Sequence, residues 1–253
     1  PYYKNVTSQQ IAGHIYHKEN DFKDFDVERL TPKMLSTEGP RLAVADVNGD
    51  GLEDFFVGGA AGDTAKLFIQ QPDGKFVQKK EFVFEQDKSS EDIGALFFDA
   101  DHDGDMDLVV VSGGNMEKPG SLNLLARLYI NDGKGNFTRK FNGWPIVSVN
   151  ASCVRLNAGN GDLFIGGRSV AGEYGVIPTS KLLRNDGHGN FSDVTANIAP
   201  ELEKLGMVTD AQWADIDNDG IKELIVAGDW MPVEILKYVN HQLKIIKTIP
   251  NSS

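Results

Sequence analysis

Short apolar runs recur along the chain, and each ends at a cluster of small and acidic residues. Residues 42–59 read LAVADVNGDGLEDFFVGG, residues 97–114 read FFDADHDGDMDLVVVSGG, and residues 213–228 read WADIDNDGIKELIVAG. Each predicts a strand entering an acidic loop and a second strand leaving it. The leaving strand is apolar at consecutive positions (108–111 and 224–227). That pattern suits a strand covered on both faces. Residues 154–167, VRLNAGNGDLFIGG, keep the second strand and the glycine pair but only Asp162 of the acids.

Each unit is followed by an apolar strand, a turn of Asn, Asp and Gly, and a phenylalanine opening another strand. The segments are LFIQQPDGKF (67–76), LYINDGKGNF (128–137) and LLRNDGHGNF (182–191), with a looser EILKYVNHQLKII at 234–246. This is a hairpin signature. The acidic loops begin at 46, 99, 154 and 215, a period of about 53 to 61 residues. One period therefore holds four short strands, and a recurring four-stranded unit of this length predicts a blade of a β-propeller. The expected fold is all-β. Residues 1–40 are read as an N-terminal strand and connecting segment. Residues 41–253 are read as about four blades, near 41–90, 91–148, 149–207 and 208–253. Residues 3–7 resemble 191–195, which predicts a first strand there, and PELEKLG predicts a helix over 199–206.

Numbered from the first aspartate, positions 1, 3 and 5 of the loops are Asp46, Asn48, Asp50; Asp99, Asp101, Asp103; and Asp215, Asp217, Asp219. Position 6 is glycine in all three, and position 9 is Asp54, Asp107 or Glu223. Alternating oxygen-bearing side chains let a tight loop aim several ligands at one centre. Calcium takes six to eight oxygens from carboxylates, amides and carbonyls. The backbone carbonyls of Leu52, Asp105 and Ile221, at position 7, would add a further ligand, so three calcium sites are expected. An EF-hand needs a bidentate glutamate at position 12, where this chain has Val57, Val110 and Val226. Magnesium seldom uses an all-protein oxygen cage, and zinc favours His or Cys. The alternative is a solvated acidic turn, since Asp, Asn and Gly favour turns without any metal. The first loop, with one amide among its ligands, is expected to bind most weakly.

The formal net charge of −12 argues against nucleic acid or an anionic membrane as partner. No run of about 18 apolar residues predicts a membrane span. The first residues, PYYKNVTSQQ, resemble neither a signal peptide nor an initiator start, and are read as part of a longer chain. The single cysteine, Cys153, is expected to be a buried thiol in a strand. No nucleophile elbow, H-E-x-x-H or phosphate loop is present, so catalysis by this segment is not expected. Trp213 is read as core. Trp230, Arg168 and Tyr174 lie in longer loops after Gly-rich turns and are candidate ligand contacts, with packing between loops as the competing role. Five N-x-S/T sequons (Asn5, Asn136, Asn150, Asn190, Asn251) and the Asp63-Thr64-Ala65 triplet are weaker signals of glycosylation.

The D-x-D-x-D-G-x-x-D loops in their strand context resemble the FG-GAP/VCBS repeats of integrin α-subunit propellers, whose loops bind calcium. Residues 17–51, 164–195 and 208–235 are similar to the ASPIC/UnbV-associated branch, found in Bacteroidetes surface proteins. The resemblance implies a propeller of seven blades, of which this chain holds four, and an extracellular or cell-surface, outer-membrane setting. It implies a secreted binding or scaffold protein with a protein or glycan ligand, linked to an outer-membrane transporter complex for nutrient uptake. The propeller portion of a polysaccharide-active enzyme and a protein-binding adhesion module are the alternatives.

Overall fold

A computed structural model describes residues 4–12, 15–29 and 31–250; Tyr3, His14 and Asn251 lie outside them. Strand β1 (Ile11–Ala12) precedes blade 1, which is β2 (Leu42–Ala45), β3 (Asp54–Val57), β4 (Lys66–Gln70) and β5 (Phe76–Lys79). Blade 2 is β6 (Glu91–Phe98), β7 (Asp107–Gly113), β8 (Arg127–Asn131) and β9 (Phe137–Lys140). Blade 3 is β10 (Ala151–Leu156), β11 (Leu163–Gly167), β12 (Lys181–Asn185) and β13 (Phe191–Asp193). Blade 4 is β14 (Met207–Ala214), β15 (Glu223–Asp229), β16 (Val233–Val239) and β17 (Gln242–Ile249). Consecutive strands within each blade pair antiparallel, giving the repeated four-stranded sheets expected of a propeller.

The expected strand over 3–7 does not form in its described part. Residues 4–6 are irregular and Thr7 opens a helical turn, Thr7–Gln10. The likeness to 191–195 is nonetheless structural, because Val194 likewise precedes a turn, Thr195–Ile198. The N-terminal strand is instead β1, which adds in parallel to the outer edge of β5. The helix expected over 199–206 is a 3-10 turn, Pro200–Lys204, too short to gain from α-helical propagation.

Three apolar clusters fill the spaces between successive blades. Phe56, Leu67 and Phe84 of blade 1 meet Phe97, Leu108 and Tyr129 of blade 2. Val109 and Leu128 face Val154 and Leu183, and Phe164 and Leu182 face Trp213 and Leu224. Each buried Leu or Phe contributes roughly 1.5–3 kcal/mol, so the blades stabilise one another as nearest neighbours. Strand β7, covered by blades on both sides, is buried along its whole length. In blade 1, Leu42 and Val44 are exposed. The glycines after the second strand are steric. A Cβ on Gly166 would lie 2.8 Å from Val208 of the next blade and 2.9 Å from Cys153 Sγ. Cys153 is buried in this core, and burial raises its thiol pKa.

The first strands of blades 2, 3 and 4 each carry a register shift at the same place, centred on Ile93, Ser152 and Thr209. These residues border a cavity of about 410 Å³ that touches the first strand of all four blades. Arg41 and Arg155 cross it to the next blade, donating to Ile93 O (2.9 Å) and Ala211 O (2.7 Å). Residues 20–29 and 31–38 lie over the blade ends away from the acidic loops. Buried Asp24 accepts from Ser36, Asn20 donates to Glu91, and Glu28 accepts from Asn115.

Candidate metal centre

The three acidic loops share one hydrogen-bond scheme. The first aspartate accepts the N–H of position 6: Gly51 to Asp46 (2.7 Å), Gly104 to Asp99 (3.1 Å) and Gly220 to Asp215 (2.9 Å). The position 5 carboxylate accepts the N–H of position 7: Leu52 to Asp50 (2.8 Å), Asp105 to Asp103 (2.9 Å) and Ile221 to Asp219 (2.9 Å). The glycine at position 6 has φ of +84°, +97° and +88°, where an L side chain is strained. Position 4 is also left-handed in each loop, at Gly49, His102 and Asn218. Sequence reasoning missed that second requirement.

Position 9 holds the loop to the sheet. Asp54, Asp107 and Glu223 are all 0% exposed. Each accepts from position 2: Val47 (3.1 Å), Ala100 (3.0 Å) and Ile216 (2.9 Å). Asp54 also takes Gln70 N and Asp107 takes Asn131 N, both at 2.8 Å, tying the second strand to the third. Burial pushes the Asp107 carboxyl up to about 6, against the lowering by the Asn131 and Ala100 N–H groups. Burial raises Asp54 as well.

The loops differ in what meets their remaining oxygens. Among the described residues, Asp99, Asp101 and Asp107 bring one oxygen each within 4.8 Å of one another, and so do Asp215, Asp217 and Glu223. In loop 99–107, Asp99 Oδ1 and Asp101 Oδ1 are buried without a hydrogen-bond partner. Two unpaired carboxylate oxygens beside a third buried carboxylate fit a hard cation that takes oxygen ligands. In loop 46–54 no such trio of acids gathers. Asp46 Oδ1 accepts from Asn48, Gly49 and Asp50 N–H, and the Asn48 amide donates to Asp50. In loop 215–223 an ammonium enters. Lys237 Nζ lies 2.7 Å from Asp217, 2.7 Å from Asp219 and 2.6 Å from Glu223. These contacts raise the Lys237 pKa, and Lys237 keeps Asp219 below the usual carboxylate range. In the degenerate unit of blade 3, Arg184 clasps Asp162 through Nε (3.1 Å) and Nη2 (3.0 Å).

The Asp105 carboxyl is apart from its neighbours' cluster and lies against Gly133, where a Cβ would come within 2.4 Å of it. Neighbouring blades also grip the loops: Asn131 donates to Val47 O (2.8 Å) and Asn185 to Ala100 O (2.7 Å). The His102 ring meets Gly187 O at 3.0 Å.

Arg168, Tyr174 and Trp230 converge at the opposite blade ends. Arg168 is buried and pairs with Asp229 (2.8 Å) and Glu38 (3.4 Å). Tyr174 donates to Asp229 (3.1 Å) and packs edge-on against Trp230 at 5.3 Å between centroids. Trp230 is 72% exposed. Arg168 thus ties loops together, and Trp230 offers the free aromatic face. Trp213 is core, and Trp144 Nε1 donates to Ala126 O (2.9 Å).

Residues 46–110 match the family described as FG-GAP-like repeat. No curated protein matches the chain by sequence. Among solved structures, the Dos1 propeller shares 10% identity at a TM-score of 0.53, over 84% of this chain and 48% of that one. A GH43 β-1,3-galactosidase solved with galactodeoxynojirimycin shares 13% identity at 0.45, over 81% and 74%. The fucose-specific lectin from Aleuria aurantia shares 10% at 0.44, over 83% and 61%. The chain spans about half the length of the Dos1 propeller chain. That likeness shows the fold alone. Four-stranded blades and the matched segment together make this an all-β, propeller-type chain carrying an FG-GAP-like repeat over residues 46–110.

Proposed function

We propose that the chain is a calcium-binding β-propeller segment of a secreted or cell-surface binding or scaffold protein, with calcium in a structural role. The observation that carries this is the pair of buried, unpartnered oxygens on Asp99 and Asp101 next to buried Asp107. Calcium there would neutralise the acids and pin the turn between β6 and β7. The chemistry is binding rather than catalysis by this segment, and the partner is a protein or glycan. The solvent-facing ring of Trp230 beside Tyr174 supports a contact surface at the blade ends away from the acidic loops. We assign the chain to the ASPIC/UnbV-associated branch on residues 17–51, 164–195 and 208–235. That assignment carries a seven-bladed parent and an outer-membrane setting tied to nutrient uptake. Among the described residues no helix is long and apolar enough to cross a membrane.

Thermal melts with calcium and with EGTA test the reading. A ligand bound only by the folded state stabilises it by RT ln(1 + [L]/Kd). The melting temperature should fall when EGTA replaces calcium. An unchanged value, together with no heat in a calcium titration, would sink the proposal.

A further inference from the structure

We propose that Lys237 is a built-in cation that stands in for calcium in loop 215–223, making that loop metal-independent while loop 99–107 relies on the ion. The first half rests on Lys237 itself; the second rests on the calcium reading of loop 99–107. The Lys237 ammonium has three N–H groups and meets three carboxylates at 2.6–2.7 Å, those of Asp217, Asp219 and Glu223. These are positions 3, 5 and 9, three of the side-chain positions that the loop pattern assigns to an ion. A divalent cation on the same oxygens would have to displace a charge of its own sign that is tethered to the strand. A tethered group acts at an effective concentration on the order of millimolar, whatever the ion level outside.

Strand register shows that this placement follows a rule across the blades. Leu236 pairs with Leu224, just past position 9, and Lys237 is the next residue on β16. The equivalent pairs are Phe55 with Phe68, Leu108 with Tyr129 and Leu163 with Leu183. The residue after each is therefore Ile69, Ile130 or Arg184. Blades 1 and 2 have isoleucine there. Blades 3 and 4 have a cation there, and both cations engage the acids of their own loop. Arg184 serves the one acid left in blade 3, and Lys237 serves a loop that keeps all four. Glu223 is fully buried, so removing the ammonium leaves a buried charge uncompensated, which is strongly destabilising.

Reciprocal substitutions test this on the full chain, read by melting temperature in EGTA and by calcium bound per chain. Lys237→Ile should melt roughly 5 °C or more below wild type in EGTA. It should recover with calcium and bind one calcium more than wild type. Ile130→Lys, which offers an ammonium to loop 99–107, should bind one calcium fewer and lose sensitivity to EGTA. Should Lys237→Ile fail to fold without calcium, Asp217→Asn in the wild-type background serves: the proposal expects no change in calcium bound. An unchanged melt and calcium count for Lys237→Ile, or a calcium lost in Asp217→Asn, overturns the proposal. A wild-type chain that binds no calcium sinks the reading of loop 99–107 instead, whereas the EGTA melt of Lys237→Ile depends on the lysine alone.

Discussion

Loops 99–107 and 215–223 share four acids at matching positions, with Asp105 a fifth in the first, and their backbones are wired alike. In loop 99–107 two buried carboxylate oxygens have no hydrogen-bond partner, and the neighbouring strand offers Ile130. In loop 215–223 the neighbouring strand offers Lys237, and three of the four acids touch it. Like charges about 4 Å apart repel by roughly 4 kcal/mol at an effective dielectric near 20. On the proposed calcium reading, one loop leaves that repulsion to an outside ion, and the other answers it from within the chain. A shared motif therefore does not imply a shared partner for its carboxylates. The residue that decides lies outside the motif.

The largest expected effect comes from position 9. Asp107→Ala removes the acceptor for both Ala100 N and Asn131 N. It should cost roughly 3–4 kcal/mol in urea unfolding, since two buried N–H groups lose their partner. Glu223→Ala should cost about 2 kcal/mol, because Lys237 retains Asp217 and Asp219. A reversed order would break the comparison.

Calcium dependence should separate the loops next. At a calcium concentration 100-fold above Kd the gain is about 2.7 kcal/mol, or roughly 5–10 °C in melting temperature for a chain of this size. Asp101→Asn should abolish most of that gain and Asp217→Asn almost none of it. Equal losses from the two variants would mean that both loops hold calcium.

Acid and base should act on the two loops with opposite sign in EGTA. The folded pKa of Asp107 is raised, from 3.8 to about 6. Its favourable contribution is complete below the unfolded value and is lost as pH rises from 3.8 to about 6, up to about 3 kcal/mol. The folded pKa of Asp219 is lowered by Lys237, so its contribution is present above 3.8 and is lost as pH falls below it. Glu91, buried beside Asn20 and raised to about 7, runs in the same direction as Asp107. Urea midpoints against pH are therefore best compared in a Glu91→Gln background. There Asp107→Asn should flatten the limb above pH 4, and Asp219→Asn should flatten the limb below it.

The smallest effects concern position 4. His102 and Asn218 have φ of 63° and 59°. Glycine at either place should change unfolding free energy by no more than about 0.5 kcal/mol, and valine should cost about 1–2 kcal/mol. A neutral valine at 102 alone would show that the two loops differ in backbone as well as in charge.

Much of the fold could be read along the chain because the information is local and repeated four times. The apolar run 108–111 becomes buried β7, and the N-D-G-x-G-N turns become the β8–β9 and β12–β13 hairpins. The strand misplaced at 3–7 shows the limit. Residues 3–7 share Val-Thr with 194–195, but pairing partners decide whether a strand forms, and β5 pairs with Ile11 and Ala12. The network of Asp24, Ser36, Glu28 and Asn115 had no periodicity to betray it, since its partners lie far apart in sequence.

By itself the sequence determined the spacing of oxygen-bearing side chains, the glycine at each sharp turn and the strands on either side, all set by interactions within nine residues. Tertiary structure alone decided which carboxylates stay unpaired. That choice depends on strand register, which brings Ile130 beside one loop and Lys237 into another. A side chain arriving from the next strand can supply the charge that a nine-residue loop cannot supply for itself.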